Sequence, residues 1–201
     1  MIKAIAFDYG GVIEIINPDF NKEVVDYLKI KEGDWDKVYF SLNYLCNTGK
    51  KTYEEVYALT AKELGASDEQ ILKVLEIKKI DKDTKKLNFE LIEMIQVLKN
   101  LNYKIGLLSN NYTSLRKELE DLKLAELFDS IVISAEVGCY KPQPEIFKIL
   151  FNKIGVESSE VAFVDDTENS LKGANEIGYI PVLFTTNEKL KEDLKNLGIN
   201  L

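Results

Sequence analysis

Four places in this 201-residue chain set polar, reactive side chains directly after short apolar runs or within a tight turn. Asp8 follows Ala4, Ile5, Ala6 and Phe7, and Ser109 follows Gly106, Leu107 and Leu108. Asp165 and Asp166 follow Val161 to Val164, and Lys141 sits in the segment GCYKPQPEIF, residues 138–147. Adjacent carboxylates repel, and one is expected to take up a proton unless a cation or a lysine lies between them. Asp8 with Asp166 offers the hard, all-oxygen ligand set that Mg2+ prefers, with waters and a phosphate completing the coordination. Lys141 supplies compensating positive charge. The Ser109 hydroxyl and the backbone N–H groups at Ser109 and Asn110 suit phosphate oxygens at a helix start. Each residue also has a plain structural reading. Asp8 could cap the following loop, Ser109 a helix, Lys141 could be a solvated loop charge, and the aspartate pair could be caps on an acidic protein.

The elements that must position these residues follow from the spacing of apolar positions. Residues 2–7 form a run short and apolar enough for a strand buried on both faces, as at the centre of a parallel sheet. Gly10 and Gly11 then let the backbone turn sharply and approach a ligand closely. Ligands in open α/β sheets sit beyond the carboxyl ends of the strands, where Asp8 falls. From residue 15 to about 80 the pattern is wholly helical. Asn17, Pro18 and Asp19 read as a helix entrance, a second helix runs from Trp35 to Leu45, and Thr52 with Glu55 forms a capping box for a third. Ser67 opens a fourth, and the lysine-rich stretch from Lys78 to Lys86 reads as a solvated connection. Beyond Asn88 helices alternate with strands at 104–108, 131–134, 161–164 and 180–184, with one helix over 169–177. That alternation implies parallel βα units under right-handed crossovers.

Composition bounds the function. A formal net charge of −8 argues against nucleic acid or an anionic membrane as the main partner, since both require a cationic footprint. No stretch approaches transmembrane length and no signal peptide is expected. Cys46 and Cys139 lie far apart without a zinc or disulfide pattern, so a reduced, cytoplasmic protein is expected. Histidine is absent, which removes every Ser-His and Cys-His scheme. Tyr39, Tyr44, Tyr53, Tyr57 and Trp35, at helical spacings, read as packing residues.

Taken together and in order, FDYGGV, LLSNN, GCYKPQPEIF and VDDTENSLKGANEIGY resemble the four motifs of the haloacid dehalogenase superfamily, in its branch with a helical cap. The resemblance covers essentially the whole chain. It implies an α/β fold, a Rossmann-like three-layer parallel sheet formed by residues 1–14 and 85–201, with an all-helical cap over 15–84. It also implies a magnesium-dependent phosphatase acting on a small phosphorylated metabolite. By the resemblance Asp8 is a nucleophile that forms an aspartyl-phosphate, Ser109 binds phosphoryl oxygens, and Lys141 balances Asp8 and the phosphate. Gly11 and Asn110 would line the substrate. Asp8, Asp166 and the carbonyl of Gly10 would hold Mg2+, with Asp165 assisting through a water or from behind the ligands. Two departures stand out. Gly10 occupies the position where many relatives carry an acid–base aspartate, and Ser170, with Asn169 one step short, replaces an Asn or Asp in the fourth motif. Without an acid at position 10, phosphates with good leaving groups (acyl, aryl or sugar 1-phosphates) are the expected substrates, with Glu14 or a cap residue as a substitute proton source. A haloacid dehalogenase and a non-catalytic phosphate-binding protein are the alternatives.

Overall fold

The computed structural model describes residues 1–17, 20–83 and 86–201. Five strands form one parallel sheet: β1 (Ala4–Phe7), β4 (Lys104–Ser109), β5 (Ser130–Ile133), β6 (Val161–Asp165) and β7 (Ile180–Leu183). Their order is β5-β4-β1-β6-β7, which places β1 in the middle. Its side chains alternate between two packed layers, as the two-residue strand period requires. Ile5 and Phe7 pack with α6 (Phe89–Asn100), α7 (Ser114–Asp121) and α12 (Asn187–Asn196) through Leu91, Ile95, Leu119 and Leu190. Ala4 and Ala6 face α9 (Pro144–Ile154) through Leu150 and its neighbours. That second face is close-packed: a Cβ at Gly106 would sit 2.7 Å from Ile154 Cδ1.

Register turns these layers into a site. Phe7 pairs with Leu107 on one side and Val164 on the other. The next residues along the two strands, Asp8 and Asp165, therefore emerge side by side, and the Asp8 N–H donates to Val164 O at 2.9 Å. Ser109 lies on the far side, one residue beyond the level of Asp8, paired with Ile133.

Between the first two strands of the sheet the chain leaves through β2 (Glu14–Ile15) and returns through β3 (Lys86–Leu87), which pair antiparallel. This two-stranded neck is absent from the sequence expectation, because two residues a side carry no periodicity. Asn88 fastens the return: its N–H donates to Ile13 O and its side-chain amide to Val12 O, while its Oδ1 caps α6. Beyond the neck stand α1 (Phe20–Leu28), α2 (Asp34–Leu42), α3 (Tyr44–Asn47), α4 (Tyr53–Glu63) and α5 (Asp68–Asp83). They enclose a core of their own, built on Val24, Trp35, Ala61, Val74 and Ile77. The capping box of Thr52 and Glu55 is present.

Some boundaries differ from expectation. The helix expected over Trp35–Leu45 is two pieces, α2 and α3, and the one over 169–177 divides into α10 (Glu168–Leu171) and α11 (Ala174–Ile177). The solvated connection expected from Lys78 is instead the end of α5. Lys78 is buried, its ammonium 4.8 Å from the Tyr57 ring centroid, 5.5 Å from that of Trp35, and 3.0 Å from Asn21 Oδ1. A lysine stem packs as an apolar chain when its head finds rings and an amide, so composition misleads there. Pro18 and Asp19, and Thr84 and Lys85 of the lysine-rich stretch, lie outside the described residues. Among the described residues no helix is long and apolar enough to cross a membrane.

Candidate active site

Asp8, Lys141, Asp165 and Asp166 converge beyond the carboxyl ends of β1 and β6. The Lys141 ammonium lies 2.9 Å from Asp8 Oδ2 and 2.6 Å from Asp165 Oδ2, and all three residues are nearly or fully buried. The other oxygen of each aspartate is held by backbone: Asp8 Oδ1 accepts from Tyr9 N–H at 2.7 Å, and Asp165 Oδ1 from Thr167 N–H at 2.8 Å. Both oxygens of Asp165 are thus engaged, which makes it the counter-ion that holds Lys141. Asp166 is the more open partner, in contact with the Thr167 hydroxyl at 3.3 Å. One oxygen from each of Asp8, Asp165 and Asp166 falls within 4.8 Å of the others.

The electrostatics follow from burial. Desolvation pushes the Asp8 carboxyl up to about 6, against the pull of Lys141, and Asp165 adds to the rise. Asp166 is raised as well, by burial and then by Asp165. Burial works against the Lys141 charge, but Asp8 and Asp165 outweigh it and hold the ammonium above its ordinary value. Three carboxylates against one ammonium leave an excess of negative charge on a set of hard oxygen donors. A divalent, oxygen-loving cation fits that donor set in charge and in chemistry. The backbone at Gly11 is what lets Asp166 come so close. Gly11 has φ +76°, and a Cβ there would lie 2.5 Å from Asp166 Cγ.

Ser109 is 2% exposed at the end of β4, and its hydroxyl has no protein partner among the described residues. The expectation of a helix start beside it does not hold, because α7 begins only at Ser114. Asn110 has a different use. Its Oδ1 accepts from Lys141 N–H at 2.8 Å and its amide donates to Lys141 O at 3.0 Å. The side chain thus positions the lysine, and only its backbone remains for an anion. Asn111 ties the same loop to α8 (Ser134–Val137): its N–H donates to Ser134 Oγ at 3.0 Å, and its carbonyl accepts from Ala135 N–H. Asn169, one step short of the fourth-motif position, makes a surface contact in which its Oδ1 accepts from Lys172 Nζ at 3.0 Å.

Three contributors escape sequence reasoning. Tyr9 is fully buried and donates from its hydroxyl to Glu118 at 2.9 Å. Burial and the nearby Glu118 and Glu14 push that phenol well up, so it stays protonated. Tyr112 meets Tyr53 of α4 with ring centroids 5.0 Å apart, joining the helical insertion to the loop after β4. Tyr53 in turn packs on Tyr57, which stacks with Tyr39 in the insertion's interior. Gly49 presses on the backbone of Ala135, at 2.5 Å from its carbonyl oxygen for an added Cβ. None of these has a local signature, because each depends on segments far apart in the chain.

Comparison with known proteins adds to this geometry. Residues 2–178 match the family described as haloacid dehalogenase-like hydrolase. Bifunctional epoxide hydrolase 2 of Sus scrofa is 30% identical over 123 residues, 58% of this chain and 22% of that protein. The chain thus spans about a fifth of the length of that relative. D-ribitol-5-phosphate phosphatase of Bacteroides thetaiotaomicron is 29% identical over 196 residues, covering 89% of this chain and 90% of the relative. Among solved structures, a HAD family enzyme of Bacteroides thetaiotaomicron in complex with magnesium and inorganic phosphate superposes with a TM-score of 0.67 at 22% identity, covering 93% of this chain and 96% of that one.

Proposed function

The chain belongs to the haloacid dehalogenase-like hydrolases, and we propose that it is a magnesium-dependent phosphatase acting on a small phosphorylated metabolite through Asp8. The observation that carries this reading is the cluster itself: Asp8 bridged to Asp165 by Lys141 at 2.9 and 2.6 Å, with Asp166 within the same 4.8 Å group. Asp8, Asp166 and the Gly10 carbonyl would hold Mg2+, and the bound ion would supply charge neutralisation for the phosphoryl group. Lys141 faces the same oxygens, and the partnerless Ser109 hydroxyl donates to a phosphoryl oxygen. The Gly11 and Asn110 backbones complete the cradle.

In the first step an Asp8 carboxylate oxygen attacks phosphorus, and the bond from phosphorus to the leaving oxygen breaks. The product is an acyl phosphate on Asp8 and a departing alkoxide or its equivalent. Water then attacks phosphorus, the bond to Asp8 breaks, and inorganic phosphate leaves with Asp8 restored. With glycine at position 10, no carboxyl stands two residues after the nucleophile to protonate the leaving oxygen. General acid catalysis contributes about 10²–10⁴-fold, so substrates that need little protonation are favoured: aryl, acyl and anomeric sugar phosphates. Helices α1 to α5, within residues 15–84, act as a cap over the core of residues 1–14 and 85–201. The two-stranded neck and the Tyr53–Tyr112 contact support that division.

The relatives support a phosphate substrate: one is a D-ribitol-5-phosphate phosphatase and another, 30% identical over 95 residues, a glyceraldehyde 3-phosphate phosphatase. The test is release of phosphate from p-nitrophenyl phosphate with and without Mg2+, alongside halide release from 2-chloropropionate. Metal-dependent phosphate release that exceeds release from an alkyl phosphate supports the reading. Metal-independent halide release would identify a dehalogenase, and neither activity would leave a phosphate-binding protein.

A further inference from the structure

We propose that Asn47 is a specificity-determining residue, whose carboxamide hydrogen-bonds hydroxyl groups on the organic part of a sugar or polyol phosphate. The inference rests on the phosphatase reading and extends it to the class of molecule attached to the phosphate.

Buried polar side chains in folded proteins are nearly always hydrogen-bonded, to protein or to ordered water, so one without a protein partner marks a place where water or a ligand binds. Thr60, Ser134, Lys141 and Asp165 follow the rule here. Among the described residues, the buried Asn47, Ser109 and Ser130 have side chains with no protein partner. The Ser130 hydroxyl is also sealed from solvent, which makes it a packing defect at the start of β5. Asn47 and Ser109 differ: each is nearly buried, at 9% and 2% exposure, yet their polar atoms are not sealed. Ser109 is the proposed phosphate ligand. Asn47 therefore shares its signature with a residue of the site itself.

Its place in the fold is the seam between the helical insertion and the sheet. Asn47 ends α3, which packs against α8. Two residues later Gly49 rests on the Ala135 carbonyl, and Ala135 N–H donates to the carbonyl of Asn111, two residues after Ser109. A continuous backbone path thus joins Asn47 to the loop that carries the phosphate site. A carboxamide donates through its N–H and accepts through its oxygen, so one side chain can pair with a hydroxyl, which also donates and accepts, in either sense. A site that hydrogen-bonds a substrate hydroxyl rejects analogues lacking it, because its own buried polar atoms are then left unpaired.

The experiment compares glucose 1-phosphate, an anomeric sugar phosphate, with phenyl phosphate, which shares only the phosphoryl group. In Asn47→Leu the ratio of kcat/KM for glucose 1-phosphate to that for phenyl phosphate should fall about tenfold or more, through KM. Asn47→Asp, which keeps an acceptor, should fall less and serves if the leucine variant does not fold. In parallel, the Asn47 side-chain amide resonances of ¹⁵N-labelled Asp8→Asn protein with Mg2+ should move on addition of glucose 1-phosphate and stay in place with inorganic phosphate. An unchanged ratio, or amide resonances indifferent to glucose 1-phosphate, overturns the assignment. Wild-type protein that releases phosphate from neither ester overturns the phosphatase reading instead, and the resonance titration then decides the role of Asn47 by binding alone.

Discussion

Replacing Gly11 by alanine tests the metal site through a residue that donates nothing to it. The added Cβ would lie 2.5 Å from Asp166 Cγ, where an ordinary contact is at least 3.4 Å, so the carboxylate must retreat by about an ångström. The backbone adds its own cost. At φ +76° a non-glycine residue is strained by about 1–2 kcal/mol, which for a domain of this length lowers Tm by roughly 2–8 °C. Disturbing the groups that place a metal ligand typically weakens metal affinity about 10–100-fold, and that is the expected rise in the Mg2+ concentration giving half-maximal phosphate release. At saturating Mg2+ most of the activity should return. The decisive control is the double variant with Asp166→Ala. If the alanine at 11 acts by displacing Asp166, it should cost almost nothing further in Mg2+ affinity once that carboxylate is gone, leaving only the loss in Tm. An equal loss of affinity in both backgrounds would refute the reasoning.

Three other substitutions probe separate parts of the cluster. Lys141→Met leaves Asp8 and Asp165 facing each other, buried and without their shared cation; a loss of about 3–5 kcal/mol is expected in denaturant unfolding, with activity abolished and stability partly recovered by Mg2+. Asn110→Ala removes both hydrogen bonds that orient the Lys141 backbone; kcat should fall about tenfold with a loss of about 1–2 kcal/mol in stability, and an unchanged kcat would remove its positioning role. At Gly10 an added Cβ meets nothing within 4 Å and the backbone is not left-handed, so a side chain can start there without strain. Gly10→Asp should raise kcat/KM for an alkyl phosphate by about 10²-fold and change an aryl phosphate little, whereas equal gains on both would show that leaving-group protonation is not what glycine removes.

Much of the sheet was legible in the sequence because β1, β4 and β6 are short apolar runs buried on both faces, each ending in or followed by a polar residue. Asp8, Ser109 and Asp165 could be assigned to strand ends for that reason. What could not be read depends on pairing between distant segments. Nothing local says that Asn110 would hold Lys141, thirty-one residues away, or that Asp165 would spend both its oxygens on Lys141 and Thr167 while Asp166 stays open. The neck of β2 and β3 is too short for periodicity to register. Lys78 shows the converse failure: a lysine in a lysine-rich run looks solvated, yet it lies within α5 and over Tyr57 and Trp35. Asn47 ends α3, and only its burial without a protein partner sets it apart.

The central claim is that Asp8 carries the phosphoryl group between substrate and water. Rapid-quench digestion and mass spectrometry during turnover of p-nitrophenyl phosphate with Mg2+ tests it most directly. The account predicts a phosphorylated peptide whose modification maps to Asp8, disappears as substrate is exhausted, and is absent from Asp8→Asn. Steady phosphate release with unmodified Asp8, or undiminished release by Asp8→Asn, would contradict it.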